Sequence, residues 1–178
     1  MTVRVHGPMR RKGDGKPYLV HPIAVLSLLV KWEANEDTCI AGLLHDVIED
    51  AGEDQKRTEY RKEILEKFGK NILEVVEGVT EQDKSLPWKK RKDLYLEHMK
   101  IASRESLLVS CADRTHNVQS LIESYVLKGE KIWSHFNAPK QEQMWFLGEV
   151  LRTLEERLDN RYIEELRANV EHLNELIC

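Results

Sequence analysis

A chain of 178 residues has the length of one ordinary domain, and 41% hydrophobic with 33% charged residues is a globular composition. The formal net charge of -4 argues against a surface that coats nucleic acid. The longest apolar stretch, near residues 23–30, is far shorter than the about 20 residues of a membrane helix. The three cysteines are widely spread without a CxxC pair, and no secretory leader opens the chain. We therefore expect a reduced, cytoplasmic, single-domain protein that binds neither nucleic acid nor membrane.

Apolar residues recur with helical spacing from about residue 20 onward, and the turn signals of β-hairpins are absent. The fold class is therefore predicted to be all-α, a multi-helix bundle. The predicted helices cover, in chain order, residues 21–32, 36–50, 57–68, 71–79, 88–102, 104–127, 139–158 and 160–176. The last two form a charged, amphipathic pair that we expect to complete the core.

The segment that precedes these helices is basic and has no apolar periodicity. It contains Arg10, Arg11 and Lys12, with glycines at positions 13 and 15. One interpretation is a solvated terminus. The other is a flexible loop whose cationic side chains reach phosphate oxygens.

The predicted helix 36–50 carries an apolar stripe on one face and four polar residues on the other. His45, Asp46, Glu49 and Asp50 share the polar face, one turn apart in two pairs. No Lys or Arg lies one turn away, so the carboxylates repel one another, and the helix dipole disfavours them near the C-terminus. A bound cation would relieve both costs, whereas a plain acidic surface is the alternative. A His beside an Asp offers nitrogen and oxygen ligands that Mn, Fe or Zn accept.

Two more candidate ligands lie on other predicted helices. His21 opens the first long helix, immediately before Pro22. Asp113 lies on the helix 104–127, and Asn117 follows it one turn later on the same face. Each residue alone also suits an ordinary structural role, His21 at a helix start and Asp113 at the surface.

The order His, His-Asp, Asp resembles that of the HD-domain metal-dependent phosphohydrolases. Over roughly residues 6 to 150 the chain is similar to a narrower group, the hydrolase domain of RelA/SpoT-type enzymes and the small alarmone hydrolases. The blocks that carry this resemblance are Arg11-Lys12, Pro17-Tyr18…His21-Pro22, Leu43-Leu-His-Asp-Val-Ile-Glu-Asp50, Phe68-Gly69, Gly78-Val-Thr80 and Ala112-Asp-Arg-Thr-His-Asn117.

With the chain length and the C-terminal amphipathic pattern, the resemblance leads us to expect a single HD hydrolase domain over residues 1–178. Its metal core is expected at about 18–127 and its helical pair at about 139–177. The resemblance implies one divalent ion, most often Mn²⁺, whose ligands are His21, His45, Asp46 and Asp113. It implies Glu49 and Asp50 as the catalytic acidic pair, and substrate contacts from Arg11, Lys12 and Asn117. The implied reaction removes the 3′-pyrophosphate of guanosine tetraphosphate or pentaphosphate and leaves GDP or GTP.

Several alternatives stay open at this point. The chain departs from the group because the helix that precedes the basic block, which ends in a His near His6, is missing or very short. An HD phosphohydrolase acting on a nucleoside monophosphate, a deoxynucleotide or a dinucleotide phosphate is the second hypothesis, and a non-catalytic nucleotide sensor is the third. The basic run from Lys84 to Lys92 is either a rim for an anionic substrate or a solvated helix start. Neither the oligomeric state nor the metal identity follows from the sequence.

Overall fold

The computed structural model describes residues 1–11, 15–81 and 84–178, and it confirms the all-α class. Within these ranges there are nine α-helices and no strand, and one isolated antiparallel bridge joins Arg10 to Pro17. The α-helices are α1 (Thr2–His6), α2 (Val20–Lys31), α3 (Glu36–Leu44), α4 (Asp54–Phe68), α5 (Lys70–Val79), α6 (Trp88–Met99), α7 (Arg104–Lys128), α8 (Lys140–Arg157) and α9 (Asn160–Ile177). Two 3₁₀ helices cover Glu49–Ala51 and Gly129–His135.

Helix α7 lies at the centre of the fold. Helices α2, α3, α5, α8 and α9 all pack against it. Ser103 caps its N-terminus by accepting a hydrogen bond from the Ser106 amide at 3.1 Å. The residues from Ser106 to Asp113 are all buried, so this half of α7 is enclosed on every side. A charged residue in that half, such as Asp113, therefore needs a partner.

The prediction that one helix runs through residue 50 is wrong. Helix α3 ends at Leu44, and a 3₁₀ helix begins at Glu49. The amide of Val47 bonds to the Leu44 carbonyl at 2.9 Å, which is the tighter spacing of a 3₁₀ turn. This turn keeps Val47 and Ile48 in the core, where both are fully buried. The polar residues of this segment are thus presented by turns rather than by one helix face.

Two elements escape the sequence prediction because their apolar periodicity is too short. One is the 3₁₀ helix Gly129–His135, and the other is α1. The shortness of α1 agrees with the expected near-absence of a helix before the basic block. It is held by Thr2, whose hydroxyl donates to the Leu43 carbonyl at 2.7 Å, and by an ion pair between Arg4 and Glu63.

The C-terminal helices α8 and α9 pack on each other and on α7. Leu154, Leu166 and Leu173 are fully buried in the same core as α7. None of the helices in the described part of the chain combines the length and apolar character that a bilayer crossing requires.

Candidate metal centre

Four side chains from three segments meet beside the buried half of α7. His21 comes from the first turn of α2, His45 and Asp46 from the turn after α3, and Asp113 from α7. Ligand atoms of His21, His45 and Asp113 all lie within 4.8 Å of one another. Oδ2 of Asp46 lies 3.0 Å from Nε2 of His45 and 3.5 Å from Nε2 of His21. The structure thus brings three of the expected ligands into one cluster and places the fourth, Asp46, against the two histidines.

The spacing of the His21, His45 and Asp113 atoms fits a single divalent ion. Nε2 of His21 lies 3.1 Å from Nε2 of His45 and 3.0 Å from Oδ1 of Asp113. Ligands about 2.1 to 2.2 Å from a common centre are separated by about 3.0 to 3.6 Å in octahedral or tetrahedral arrangements. Nδ1 of His45 lies 2.8 Å from the Gly42 carbonyl, so the ring proton belongs on Nδ1 and the Nε2 lone pair faces the other ligands.

The carboxylates of the centre attract positive charge. Burial lowers the pKa of His45, but Asp46 and Asp113 outweigh it and raise the pKa well above its ordinary value. Burial raises the pKa of Asp113, but Arg114 and the two histidines outweigh it and hold that pKa well below its usual range. A proton and a metal ion therefore compete for the Nε2 lone pair of His45.

Two side chains orient the candidate ligands from outside. The Tyr18 hydroxyl donates to Oδ2 of Asp46 at 2.6 Å, and burial together with Asp46 raises the pKa of Tyr18, which keeps it a donor. Nδ1 of His116 lies 2.8 Å from Nδ1 of His21. The sequence analysis placed Tyr18 and His116 in motif blocks and assigned neither a role at the metal centre. The available signal for His116 was its spacing of three residues from Asp113 on one helix.

Glu49 lies three residues after the ligand Asp46 and lines a cleft beside the metal centre. Burial and the charge of Asp46 raise the pKa of Glu49. Its Oε2 accepts a hydrogen bond from the Glu81 amide at 3.3 Å, and Lys84 Nζ lies 3.5 Å from its Oε1. A carboxylate with a raised pKa, held in place beside a metal centre, is suited to accept a proton. Lys84 is 35 residues away in the sequence, so the spacing of residues within one helix could not predict that it neighbours Glu49.

Asp50 contacts a residue of the short helix α1. Oδ2 of Asp50 lies 3.3 Å from Nε2 of His6, whose side chain is fully buried. The ring of His6 also lies against Tyr18, with centroids 4.9 Å apart. The first helix therefore supplies part of the wall behind the candidate acidic pair, even though it is only five residues long.

A cleft of about 520 Å³ lies beside the metal centre, lined by Tyr18 and Asn117, which bond to the ligands Asp46 and Asp113. Arg11 lines it and donates from Nη2 to Oδ1 of Asn117 at 2.8 Å. Asn117 in turn donates from Nδ2 to Oδ1 of Asp113 at 2.6 Å, as expected for residues one turn apart on one face. Lys12, the other basic candidate, lies outside the described residues.

The basic run after α5 reaches the cleft rather than solvent alone. Lys84, Arg91 and Lys92 all line it, together with Arg114 from α7. The cleft therefore carries positive charge from this run, from Arg114 and from Arg11, and such a lining attracts anions. Of these cations, Arg114 was missed in the sequence analysis, because it follows a candidate ligand and no pattern marks it separately.

The HD domain pattern matches residues 2–143, a range that contains the whole centre. The chain belongs to the HD domain family. A divalent metal ion is the cofactor that this family and this cluster of ligand atoms indicate.

Curated relatives of this HD-domain chain confirm the resemblance found in its motifs. It is 36% identical over 117 residues to guanosine-3′,5′-bis(diphosphate) 3′-pyrophosphohydrolase of Haemophilus influenzae, which is 62% of this chain and 16% of that protein. It is also 36% identical over 119 residues to guanosine-3′,5′-bis(diphosphate) 3′-pyrophosphohydrolase MESH1 of Xenopus tropicalis, 65% of this chain and 63% of that protein. The chain thus spans about a sixth of the first relative's length and less than two thirds of the second's.

Solved structures share the HD fold over most of the chain. The Listeria monocytogenes protein lmo0812 superposes with a TM-score of 0.75 at 26% identity, covering 87% of this chain and 99% of that one. A metazoan ortholog of SpoT, described as hydrolysing ppGpp, superposes with a TM-score of 0.75 at 24% identity, covering 97% and 90%. At that identity the second likeness shows the shared fold.

Proposed function

We propose that this HD-domain chain hydrolyses the 3′-diphosphate of guanosine tetraphosphate and pentaphosphate, releasing pyrophosphate and GDP or GTP. The observation that carries the proposal is the cluster of His21, His45 and Asp113, with Asp46 against the histidines, beside a cleft that is lined by Glu49 and by cations. Two relatives that are 36% identical and named for this reaction support the choice of substrate.

The metal ligands in this proposal are His21, His45, Asp46 and Asp113. We take the ion to be Mn²⁺, which accepts mixed imidazole and carboxylate ligands, although other divalent ions share this chemistry. When bound, such an ion polarises a phosphoryl oxygen and lowers the pKa of water.

The chain's own residues supply the proton acceptor and the anion contacts. Glu49 takes a proton from the attacking water as the water oxygen bonds to the phosphorus attached to the 3′ oxygen. The bond between that phosphorus and the 3′ oxygen breaks, and the 3′ oxygen takes up a proton from solvent. Asp50 positions the water from its place against His6. Arg11, directed by Asn117, stabilises the phosphate charge, and Lys12 belongs to the same proposed contact.

The proposal treats residues 1–178 as one HD hydrolase domain, with its metal core at about 18–127 and the helical pair at about 139–177. The contacts of α8 and α9 with α7 support this single unit. We place the reaction in the cytoplasm, with the nucleotide as the partner and no nucleic acid or membrane involved.

A chromatographic assay of the purified protein with ppGpp, with and without manganese, tests the function. We expect equal amounts of GDP and pyrophosphate, formed only when manganese is present. If ppGpp stays intact while manganese is bound, the proposal fails. A panel of nucleoside monophosphates, deoxynucleotides and dinucleotide phosphates then tests the second hypothesis, and tight binding without turnover supports a nucleotide sensor.

A further inference from the structure

Glu81 is a buried carboxylate enclosed by cations in the wall of the cleft. It follows α5, and only 7% of it is exposed. Nη1 of Arg91 lies 2.7 Å from its Oε2, and Nζ of Lys92 contacts its Oε1. Burial raises the pKa of Glu81, but Lys92, Arg91 and Arg114 outweigh it and lower that pKa, so the carboxylate is ionised.

The cations around Glu81 rest on an aromatic surface. Lys92 Nζ lies 4.6 Å from the centre of the Phe146 ring. The Arg114 guanidinium lies 5.4 Å from the same ring and 5.8 Å from that of Tyr95. The face of an aromatic ring attracts a cation and also excludes water from it. The positive charges are therefore weakly screened, and they attract anions into the cleft that they line.

The hydrogen-bonding capacity of these cations is only partly used. The buried Nε atoms of Arg91 and Arg114 make no hydrogen bond within the described part of the chain. Arg114 Nε approaches Oδ2 of Asp113 at 3.3 Å, and a metal ion on Asp113 would offset that carboxylate's charge. A guanidinium presents several donors in a planar fork that matches the oxygens of a phosphate. A carboxylate has two oxygens, whereas a phosphate brings three and more negative charge.

We propose that Glu81 occupies the place of a substrate phosphate group, and that Arg91, Lys92 and Arg114 form an anion subsite from which a diphosphate displaces this carboxylate. The inference rests on the proposed function for the identity of the substrate, a nucleotide with diphosphates at two positions. Either diphosphate has the required chemistry: the one removed at the metal centre, or the one that remains on the nucleotide. Glu81 pairs with Arg91 and Lys92 and competes with the substrate for them.

Substitution of Glu81 by Gln separates this role from a purely structural one. The amide keeps the shape of the side chain but removes the competing charge, so the subsite attracts anions more strongly. We expect the Kd of one probe, inorganic pyrophosphate or GDP, to fall about tenfold in Glu81→Gln. Titration calorimetry measures the Kd of each probe for the full chain and for the variant, with the same free manganese concentration in cell and syringe. A gain for pyrophosphate assigns the subsite to the departing diphosphate, and a gain for GDP assigns it to the retained one.

Glu155→Gln is the matched control. Glu155 is also paired with a guanidinium, that of Arg167 at 2.8 Å, but it lies on α8 outside the cleft. This variant should bind both probes as the unmodified chain does. If Glu81→Gln binds both probes with unchanged or weaker affinity, Glu81 only supports Arg91 and Lys92 structurally, and the inference is overturned.

A second variant keeps the test decisive if Glu81→Gln does not fold. Lys92→Met removes the ammonium charge and retains an unbranched side chain against Phe146. It should bind the affected probe about tenfold more weakly, and unchanged affinity for both probes overturns the inference. Because neither probe is hydrolysed, these measurements do not depend on turnover. If the unmodified chain leaves ppGpp intact but Glu81→Gln binds a probe more tightly, the proposed function is refuted and the anion subsite is retained.

Discussion

Nδ1 of His21 and Nδ1 of His116 face each other at 2.8 Å, so one ring must donate a hydrogen bond to the other. His21 needs its Nε2 lone pair for the ligands opposite, which places its proton on Nδ1 and makes His116 the acceptor. Burial and the neighbouring His21 lower the pKa of His116 to about 4, so its ring is neutral and can accept. His116 thereby fixes both the tautomer and the orientation of a candidate ligand.

Loss of this acceptor should weaken metal binding without removing a ligand. In His116→Leu we expect manganese affinity to fall by about 10- to 100-fold, as is typical for partners of metal-binding histidines. His116→Asn places an amide oxygen near the position of Nδ1 and should recover most of that affinity. Calorimetric titration with manganese measures both variants. Equal affinity in His116→Leu and the unmodified chain would show that His21 is oriented without this contact.

Substitutions of Glu49 and of Asp46 should separate the loss of proton transfer from the loss of metal binding. Glu49→Gln keeps the side chain's shape but cannot accept a proton, so we expect kcat for ppGpp to fall about 10²- to 10⁴-fold with the metal retained. Asp46→Ala should lose both metal and activity. Metal content by mass spectrometry, together with the ppGpp assay, distinguishes the two.

Glu53→Gln is the control for this pair, since Glu53 is exposed and precedes α4. It should leave both metal content and kcat unchanged. Near-normal turnover in Glu49→Gln would assign the proton acceptor to another residue.

Asn117 connects the metal centre to Arg11 in the lining of the cleft. It donates to Asp113 and accepts from Arg11, so Asn117→Ala releases the guanidinium while leaving its charge in place. We expect KM for ppGpp to rise about tenfold, with a smaller change in kcat, because Arg11 must then be ordered by the substrate. Steady-state kinetics of this variant, beside Asn71→Ala on the exposed face of α5, test the connection. A change in kcat alone would argue that Asn117 acts through Asp113 instead.

The sequence predicted the helices well where apolar periodicity is long, but not the end of α3. The physical reason is that His45 and Ile48 keep helical backbone angles, with φ −53° and ψ −38° for His45 and φ −73° and ψ −43° for Ile48. Side chains therefore keep helix-like directions, with Val47 and Ile48 in the core, although the Val47 and Ala51 amides bond to carbonyls three residues back instead of four. Periodicity reports the direction of side chains, and it does not detect this change of hydrogen bonding.

The candidate ligands were predictable because the order of motifs places them, whereas their partners were not. His6 beside Asp50, and Glu81 among Arg91 and Lys92, depend on how distant segments pack. A lone His near the start of the chain and a Glu after a helix carry no local pattern. Such contacts follow from the tertiary structure alone, and they account for the parts of the cleft that the sequence left open.

The glycine of the Gly78-Val-Thr80 block has a packing role that can be tested directly. A Cβ at Gly78 would lie 2.2 Å from Oγ and 2.9 Å from Cβ of Ser106, where α5 meets the buried half of α7. Ser106 is buried and bonded to the Val75 carbonyl, so it cannot retreat. We expect Gly78→Ala to lower the free energy of unfolding by about 1 to 3 kcal/mol, measured by urea denaturation.

Gly148→Ala provides the matched control for that measurement. Gly148 lies on the exposed side of α8, and a Cβ there would meet nothing within 4 Å. Helix propensity then favours alanine, and the free energy of unfolding should rise by about 0.5 to 1 kcal/mol. Opposite signs for the two changes in the free energy of unfolding would establish that the close approach of α5 to α7 requires Gly78. Equal stabilisation in both variants would show that the two helices separate at little cost.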